Sequence, residues 1–231
     1  PMETLWTVVQ SMKRSAISAE VKIITGDTKV VDKGKGDGIF INTSGVGVIE
    51  PGVKIHPRQV QPGDAVLLSG DIARHGMAIM SARKDSGFQN QIESDCASVS
   101  GEVRNLLDVE VHCLRDLTRG GLATALIEIA RSAEVSIDIE ESEIPVCEDV
   151  KGACEILGFD PLYVANEGRF IALVHPKDED RALHIMKKTG NDARIIGRVK
   201  ESPEKRVTLK TRAGSIRMLS LLSGEQLPRI C

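Results

Sequence analysis

The chain opens on an amphipathic pattern. Leu5, Val8 and Met12 recur at helical spacing, so the first residues predict a helix with one apolar face. Two later runs, residues 21–25 and 39–49, are rich in β-branched residues, and each predicts a strand. The opening of the chain therefore predicts a helix followed by two strands.

Residues 50–63 lose this periodicity. They contain Pro51, Pro57 and Pro62 together with glycines, and these residues break helices and central strands. We therefore predict a domain boundary in this segment. The predicted organisation is an N-terminal domain over residues 1–52, a second domain over residues 53–218 and a C-terminal tail over residues 219–231.

Beyond the boundary, strand and helix patterns alternate. Short apolar or β-branched runs predict strands at residues 65–69, 169–174, 193–199 and 207–209. Helical spacing of Leu122 and Leu126 predicts a helix opened by the glycine pair at 120–121, and residues 178–188 predict another that ends at Gly190. Mixed elements of this kind indicate an α/β fold built as an α+β sandwich.

Composition excludes several classes of function. Hydrophobic residues make up 41% of the 231 residues, and the formal net charge is −3 with 30 basic and 33 acidic residues well mixed. This balance offers no basic face to nucleic acid or to anionic lipid. No apolar run approaches the roughly 20 residues that span a bilayer, and the first residues do not resemble a signal sequence. We expect a cytoplasmic globular protein without a membrane or nucleic-acid partner.

The five cysteines are widely spaced and include no Cys-x-x-Cys pair. This spacing argues against a disulfide framework and against a zinc knuckle, so reduced thiols are expected. The sequence assigns no chemistry to the four internal cysteines. Because the chain starts at Pro1, already inside a helical pattern, we also expect an N-terminal segment to be missing.

A first candidate site is the loop TGDTK at residues 25–29, which follows a predicted strand. Asp27 offers a carboxylate for Mg²⁺, and Lys29 offers an ammonium group for phosphate or for acid–base work. The alternative is an ordinary Gly-Asp turn with a solvated lysine.

A second candidate is RDLTRGG at residues 115–121, which leads into a helix. Unpaired N–H groups and the helix dipole favour anions at such a position, and Thr118, Arg119 and Gly120 would support phosphate binding. In the alternative interpretation, Asp116 or Thr118 simply caps the helix.

A third candidate is Asn166-Glu167-Gly168, between two apolar segments. Glu167 is expected to be partly desolvated there and so suited to act as a general base, although a surface turn is the alternative. His75 is interpreted as a hydrogen-bonded structural histidine.

The last candidate is Cys231, the final residue. Gly224 and Pro228 disfavour a helix before it, so the thiol lies at the end of a segment that is free to move. The alternative is an incidental terminal cysteine.

Four motifs carry a family resemblance when they are taken together. Residues 26–31 (GDTKVV), 115–121, 166–168 (NEG) and the ending PRIC at 228–231 occur in the order found in the HypE family of hydrogenase-maturation carbamoyl dehydratases. The chain resembles this family from its first residue to its last. More distant relatives are enzymes similar to aminoimidazole-ribonucleotide synthetase, which share the fold but lack the cysteine tail.

The resemblance implies a two-domain aminoimidazole-ribonucleotide-synthetase-like fold with an incomplete N-terminal domain, a homodimer when full length, and ATP and Mg²⁺ as cofactors. Cys231 would receive a carbamoyl group from the HypF carbamoyltransferase, and its dehydration to a thiocyanate would supply cyanide to a HypC–HypD complex. Lys29 and Glu167 would manage the proton, and Asp27 would hold the metal. The residues implied to line the nucleotide site are Asp27, Asp116, Thr118, Arg119, Gly120 and Asn166.

Two other functions compete with this one. A small-molecule ATP-dependent kinase or synthetase of the same superfamily would use the phosphate loops and leave Cys231 without a role. A non-enzymatic scaffold would instead dock a partner through its Pro-Arg-Ile-Cys tail.

Overall fold

The computed structural model describes residues 1–36, 38–83, 92–188 and 192–222. The chain divides into two compact units, Pro1–Val53 and Lys54–Cys231. Gly190 and Cys231, both singled out by the sequence, lie outside the described residues. Among the helices that the structure describes, none is long and apolar enough to cross a membrane.

The first unit contains the helix α1, Met2–Ser18, which confirms the helix predicted at the start of the chain. The two predicted strands are wrong: residues 21–25 and 39–49 form no strand. Their side chains are largely exposed, as at Ile24 (87%) and Val46 (102%). A β-branched run fits a pleated surface, but a strand also needs a neighbour for its N–H and C=O groups. The described residues of this unit provide none to these two segments.

The second unit is built on one sheet. Its strands are β1 (Ala65–Leu68), β2 (Val111–Asp116), β3 (Ser136–Glu140), β4 (Phe170–Val174), β5 (Arg194–Lys200), β6 (Val207–Lys210) and β7 (Ile216–Leu219). Its helices are α2 (Arg74–Ala82), α3 (Ser100–Leu106), α4 (Gly121–Ala133), α5 (Glu148–Leu157) and α6 (Glu179–Lys187). The predicted strands at β1, β4, β5 and β6 and the predicted helices at α4 and α6 are confirmed.

The strands follow the order β2-β4-β1-β5-β3-β6-β7. Every neighbouring pair is antiparallel except β3 and β6, which run parallel. All four residues of β1 are buried. This burial explains why β1 appears in the sequence as a continuous apolar run and not as an alternating one.

Helices cover both faces of the sheet. On one face, Leu122, Leu126 and Ile129 of α4 pack on Val66 and Leu68 of β1 and on neighbouring strands. On the other face, side chains of α3 and α6 pack on the opposite set of strand residues, which includes Ala65 and Leu67. A smaller apolar cluster joins α2 to α5. The predicted fold class, a mixed α/β fold with a layered sheet, is confirmed.

Candidate functional site

Asn166 links the second and third candidate motifs. Its backbone N–H donates to the carbonyl oxygen of Leu117 at 3.0 Å, and its Nδ2 donates to the same oxygen at 2.9 Å. The Leu117 N–H donates in turn to the carbonyl oxygen of Arg169 at 3.1 Å. The loop at 115–121 and the segment 166–169, named here the Glu167 loop, are therefore hydrogen bonded to each other.

The Asn166 side chain is fully buried and engaged within the protein. Its Oδ1 accepts from the Ala73 N–H at 2.7 Å, and its Nδ2 also reaches the carbonyl oxygen of Val164 at 3.1 Å. Ala73 has a left-handed backbone (φ 72°) and precedes helix α2 without any side-chain cap. Asn166 thus stabilises the start of α2. This internal role differs from the nucleotide contact that was predicted for the Asn166 side chain.

A buried ion pair holds the other end of the Glu167 loop. Arg169 Nη2 binds Asp71 Oδ1 at 2.7 Å, and Arg169 Nε donates to the Asp71 carbonyl oxygen at 3.1 Å. Arg74 binds the second carboxylate oxygen at 2.7 Å, and the Cys147 thiol lies 3.2 Å from that oxygen. Burial alone would raise the pKa of Asp71, but the hydrogen bonds from Arg169, Arg74 and Cys147 outweigh burial and lower it.

Glu167 lies between these two anchors and is partly buried. Its backbone N–H donates to Asp95 Oδ1 at 3.1 Å. The side chains of Asn166 and Arg169 are hydrogen bonded within the protein. Among the described residues, none forms a hydrogen bond or an ion pair with the Glu167 carboxylate. The loop therefore has a fixed backbone and presents one carboxylate that remains available for chemistry.

The 115–121 loop places its polar side chains at the surface. Thr118 Oγ1 donates to Asp116 Oδ2 at 2.6 Å, and Arg115 pairs with Glu128 at 2.7 Å. Arg119 is exposed. The interpretation of Asp116 or Thr118 as a helix cap is wrong, because the N-cap of α4 is Gly120 and no side chain caps this end.

The two glycines at the start of α4 have a packing role. Gly120 and Gly121 have φ values of 76° and 60°, a region that favours glycine. A Cβ on Gly121 would lie 2.6 Å from the carbonyl oxygen of Leu162 and 2.7 Å from that of Val164. Helix α4 therefore begins in close contact with residues 162–164, the turn that leads into the Glu167 loop.

Asp27 and Lys29 belong to the first unit and are both exposed. Asp27 Oδ1 accepts from the N–H of the adjacent Thr28 at 2.9 Å. No group of three or more His, Cys, Asp or Glu side chains within the described ranges is arranged to hold a metal ion. A single exposed carboxylate nevertheless fits Mg²⁺, which typically takes one or two carboxylates together with substrate phosphates and water.

The described start of the C-terminal tail lies next to residues 160–163, the turn that precedes the Glu167 loop. Strand β7 ends at Leu219, the first residue of the predicted tail, and Leu219 is buried. The Tyr163 hydroxyl donates to the carbonyl oxygen of Ser220 at 2.9 Å, and Arg217 pairs with Asp160 at 2.9 Å. The described start of the tail is thus tied to the turn that precedes the Glu167 loop.

The four internal cysteines are free, in agreement with the expectation of reduced thiols. Burial raises the pKa of Cys113 and of Cys154 to about 11, so neither is a thiolate near neutral pH. Cys96 is exposed. His75 is buried and lies 2.9 Å from Ser94 Oγ through its Nδ1, in agreement with its interpretation as a structural histidine.

Sequence reasoning missed Asp71 and Asp95, two buried carboxylates that hold the Glu167 loop. Both lie far from the loop along the chain, and their separations from Arg169 and Glu167 are 98 and 72 residues. An acidic residue in a segment without periodicity usually indicates a solvated loop. The local sequence marks the two carboxylates only weakly: Asp71 follows Gly70, and Asp95 follows Ser94.

Comparison with known proteins shows which family the chain resembles. Residues 61–210 match the family model of the AIR synthase related protein, C-terminal domain. The carbamoyl dehydratase HypE of Azotobacter vinelandii is 48% identical over 235 aligned positions, which cover 100% of this chain and 69% of the relative.

Two solved structures are similar over almost the whole chain. The HypE of a HypE–HypF complex matches with a TM-score of 0.90 and 46% identity, covering 96% of this chain and 73% of that one. A HypE in complex with ATP matches with a TM-score of 0.87 and 39% identity, covering 100% and 71%. With this degree of identity over its full length, the chain belongs to the HypE family of carbamoyl dehydratases, the hydrogenase maturation enzymes.

Proposed function

We propose that this protein uses ATP to dehydrate an S-carbamoyl group on its own Cys231 to a thiocyanate, which supplies the cyanide ligand of the [NiFe]-hydrogenase iron centre. The observation that carries the proposal is the Glu167 loop, whose backbone is fixed at both ends while its carboxylate remains unengaged among the described residues. Membership of a family of carbamoyl dehydratases, with an ATP complex among the relatives, supports the proposed reaction.

The chemistry requires activation of an amide oxygen, because oxide is a poor leaving group. The carbamoyl oxygen attacks the γ-phosphorus of ATP, the bond to ADP breaks, and the oxygen becomes a phosphate ester. The C–O bond then breaks and phosphate leaves, while the nitrogen loses both of its protons and a C≡N bond forms. One of these protons is carried away on the phosphate, and the other is released. The products are protein thiocyanate, ADP, phosphate and one proton.

Glu167 is the proposed general base for the nitrogen proton. A base must lie within hydrogen-bond reach of the proton that it removes, and a fixed loop maintains that position. Lys29 is proposed to assist, either by contacting phosphate or by taking part in proton transfer. Because the substrate is attached to the protein, its effective concentration at the site is set by the tail and not by diffusion.

The nucleotide is proposed to bind against the 115–121 loop. Arg119 offers an exposed cation, and Thr118 offers a hydroxyl, which in this structure donates to Asp116. Gly120 opens the helix whose N-terminus favours anions. Asn166 is proposed to hold the neighbouring loop and not to contact nucleotide, because its side chain is buried and already bonded.

Asp27 is the proposed ligand for Mg²⁺, which when bound would neutralise charge on the phosphates. The proposed domain organisation remains an N-terminal ATP-binding and dimerisation domain over residues 1–52, a second domain over residues 53–218 and a tail over residues 219–231.

The proposed partners follow from the family. A relative is found in a complex with HypF, so HypF is proposed as the donor of the carbamoyl group. A HypC–HypD complex is proposed as the acceptor of cyanide, and a homodimer as the assembly of the full-length protein.

The test is a single-turnover reaction of the full-length gene product, carbamoylated by HypF and mixed with MgATP. Glu167→Gln keeps the size of the side chain and removes the base, so formation of thiocyanate should slow at least about 100-fold, within the range ascribed to general-base catalysis. Glu155→Gln, at an exposed position of α5, is the matched control and should react at the normal rate. A normal rate for Glu167→Gln would contradict the assigned base.

The same experiment distinguishes the proposed dehydratase from the competing small-molecule kinase. A small-molecule kinase would consume ATP with its substrate whether or not Cys231 carries a carbamoyl group. The proposed enzyme should release phosphate in proportion to the carbamoylated fraction of Cys231, and should release none with Cys231→Ala. A kinase transfers its phosphoryl group to an acceptor and releases no phosphate, so formation of ADP by Cys231→Ala at the native rate would favour the kinase.

A further inference from the structure

Residues 94–97, named here the 94–97 segment, lie directly against the Glu167 loop. Asp95 Oδ1 accepts from the Glu167 N–H at 3.1 Å. A Cβ added to Gly168 would lie 2.0 Å from the Asp95 carbonyl oxygen and 2.8 Å from the Ala97 nitrogen. The two backbones therefore touch without a side chain between them, and a displacement of one displaces the other.

The 94–97 segment is itself fixed from the side of helix α2. Ser94 Oγ is hydrogen bonded to His75 Nδ1 at 2.9 Å and accepts from the Cys96 N–H at 3.1 Å. Since Ala73, at the start of the same helix, donates to Asn166, helix α2 is connected to the Glu167 loop by two routes. One route runs through Asn166, and the other runs through Ser94 and Asp95.

The Asp95 carboxylate is only partly satisfied. The residue is 6% exposed, and its Oδ2 is buried without a hydrogen-bond partner among the described residues. A buried carboxylate in this state costs stability, so folding alone does not favour it. A carboxylate does, however, form a stronger hydrogen bond to a peptide N–H than a neutral amide oxygen forms. The one such bond that Asp95 makes to the Glu167 loop is at Glu167 itself.

We propose that Asp95 is a positioning residue for Glu167, which holds the peptide of the catalytic base through a charge-assisted hydrogen bond. This inference rests on the proposed function, because it assigns Asp95 a role in the same reaction. Asp95 does not touch the reacting atoms; it fixes the backbone from which the Glu167 carboxylate reaches them. A displacement of about 1 Å at a catalytic group is able to cost roughly 100-fold in rate.

The proposal predicts a graded series in the single-turnover rate constant at saturating ATP, called kcat here. Asp95→Ala removes the acceptor and should lower kcat about 10- to 100-fold, in the range expected when a base is misplaced. Asp95→Asn keeps an acceptor oxygen without the charge, and its kcat should lie between those of Asp95→Ala and the native protein. The KM for ATP should change less than about threefold in both variants, because no part of the proposed nucleotide site is altered. The exposed Asp108→Ala is the matched control and should behave as the native protein.

A double-mutant cycle separates positioning from a general structural defect. If Asp95 acts through Glu167, then Asp95→Ala should cost little further rate when Glu167 is already replaced by Gln. A defect that is merely structural would reduce the rate by the same factor in both backgrounds, and would also lower the melting temperature of Asp95→Asn together with its kcat.

The outcomes are distinct from those of the proposed function. Equal losses in both backgrounds, or native kcat in Asp95→Ala, would overturn the positioning role and leave the dehydratase reaction intact. Native activity of Glu167→Gln would instead overturn the assigned base. If Asp95→Ala does not fold, the Asp95→Asn variant decides the question, since native kcat in that variant would contradict a charge-assisted contact.

Discussion

Arg169 and Asp71 form a buried ion pair at 2.7 Å that joins the Glu167 loop to the segment preceding helix α2. The two residues are 8% exposed in each case. Arg169 also donates to the carbonyl oxygens of Asp71 and of Gly168, so its guanidinium is bonded on three sides. The position of Glu167 thus depends on an ionic contact that was not evident from the sequence.

Removing one partner of this pair should be costly. Asp71→Asn leaves the buried charge of Arg169 without its counter-ion, and we expect a loss of about 3 kcal/mol in the free energy of unfolding at pH 7. Urea denaturation measures this difference, and the exposed Asp108→Asn is the control. A difference below about 1 kcal/mol, typical of surface pairs, would show that the pair contributes little.

The same pair gives a pH dependence with a defined sign. The pKa of Asp71 in the folded protein lies below its ordinary value of 3.8, so its contribution is present above that pH and is lost as the pH falls through the folded pKa. The stability difference between the native protein and Asp71→Asn should therefore shrink as the pH is lowered below about 4. A constant difference over this range would contradict the assignment.

Gly121 should not tolerate a side chain. Its φ of +60° and the carbonyl oxygens that a Cβ would meet at 2.6 and 2.7 Å predict that Gly121→Ala destabilises the fold by about 1–3 kcal/mol. Gly152 lies within helix α5, and a Cβ there would meet no atom within 4 Å. Gly152→Ala should instead stabilise the protein by roughly 0.5–1 kcal/mol. Thermal unfolding compares the two variants, and equal melting temperatures would contradict the packing role of Gly121.

His112 should stabilise the fold mainly at lower pH. Its Nδ1 lies 2.8 Å from Asp64 Oδ2, and its Nε2 lies 3.2 Å from Glu110 Oε1. Burial lowers the pKa of His112, but its bonds to Asp64 and Glu110 outweigh burial and raise it above 6.5. Its stabilising effect is therefore complete below the unfolded value of about 6.5 and is lost as the pH rises through the folded pKa.

The stability difference between the native protein and His112→Gln should accordingly decrease from pH 6 to pH 9, a range of about three units centred above the ordinary histidine value. The exposed His184→Gln serves as the control for a general pH effect. If the His112→Gln difference grew with pH, the sign of the shift would be wrong.

The internal thiols should differ sharply in reactivity. Cys96 is exposed, whereas Cys113 and Cys154 are buried with pKa values of about 11. Iodoacetamide at pH 8 should label Cys96 in the folded protein and should reach Cys113 and Cys154 only after unfolding. Peptide mass spectrometry after timed labelling measures this order, and labelling of Cys113 as fast as that of Cys96 would contradict the described burial.

Local patterns were sufficient for the regular core elements. Strand β1 and helix α4 were predicted because a short apolar run and a helical stripe are local signals. Strand β2 was missed because its apolar run gives way to the polar residues Arg115 and Asp116, and β3 was missed because its alternating pattern spans only five residues. The two wrong strands in residues 21–49 had the right composition without a pairing neighbour. Pairing is a non-local property that composition does not contain.

The candidate site shows the same limit. The motifs at 115–121 and 166–168 were identified by their residue types, and the structure brings them into direct hydrogen-bond contact through Leu117 and Asn166. Asp71 and Asp95 were missed because their partners are distant in sequence. Whether a buried carboxylate has a partner depends on the fold and not on its neighbours along the chain.

The most direct test of the central claim is an intact-peptide mass measurement on Cys231. The full-length gene product, carbamoylated by HypF, is incubated with MgATP, digested and analysed for the C-terminal peptide. The proposed reaction predicts that this peptide loses the mass of one water, that the loss requires ATP, and that Glu167→Gln abolishes it on the same time scale. An unchanged carbamoylated peptide after complete ATP turnover, or an equal loss without ATP, would contradict it.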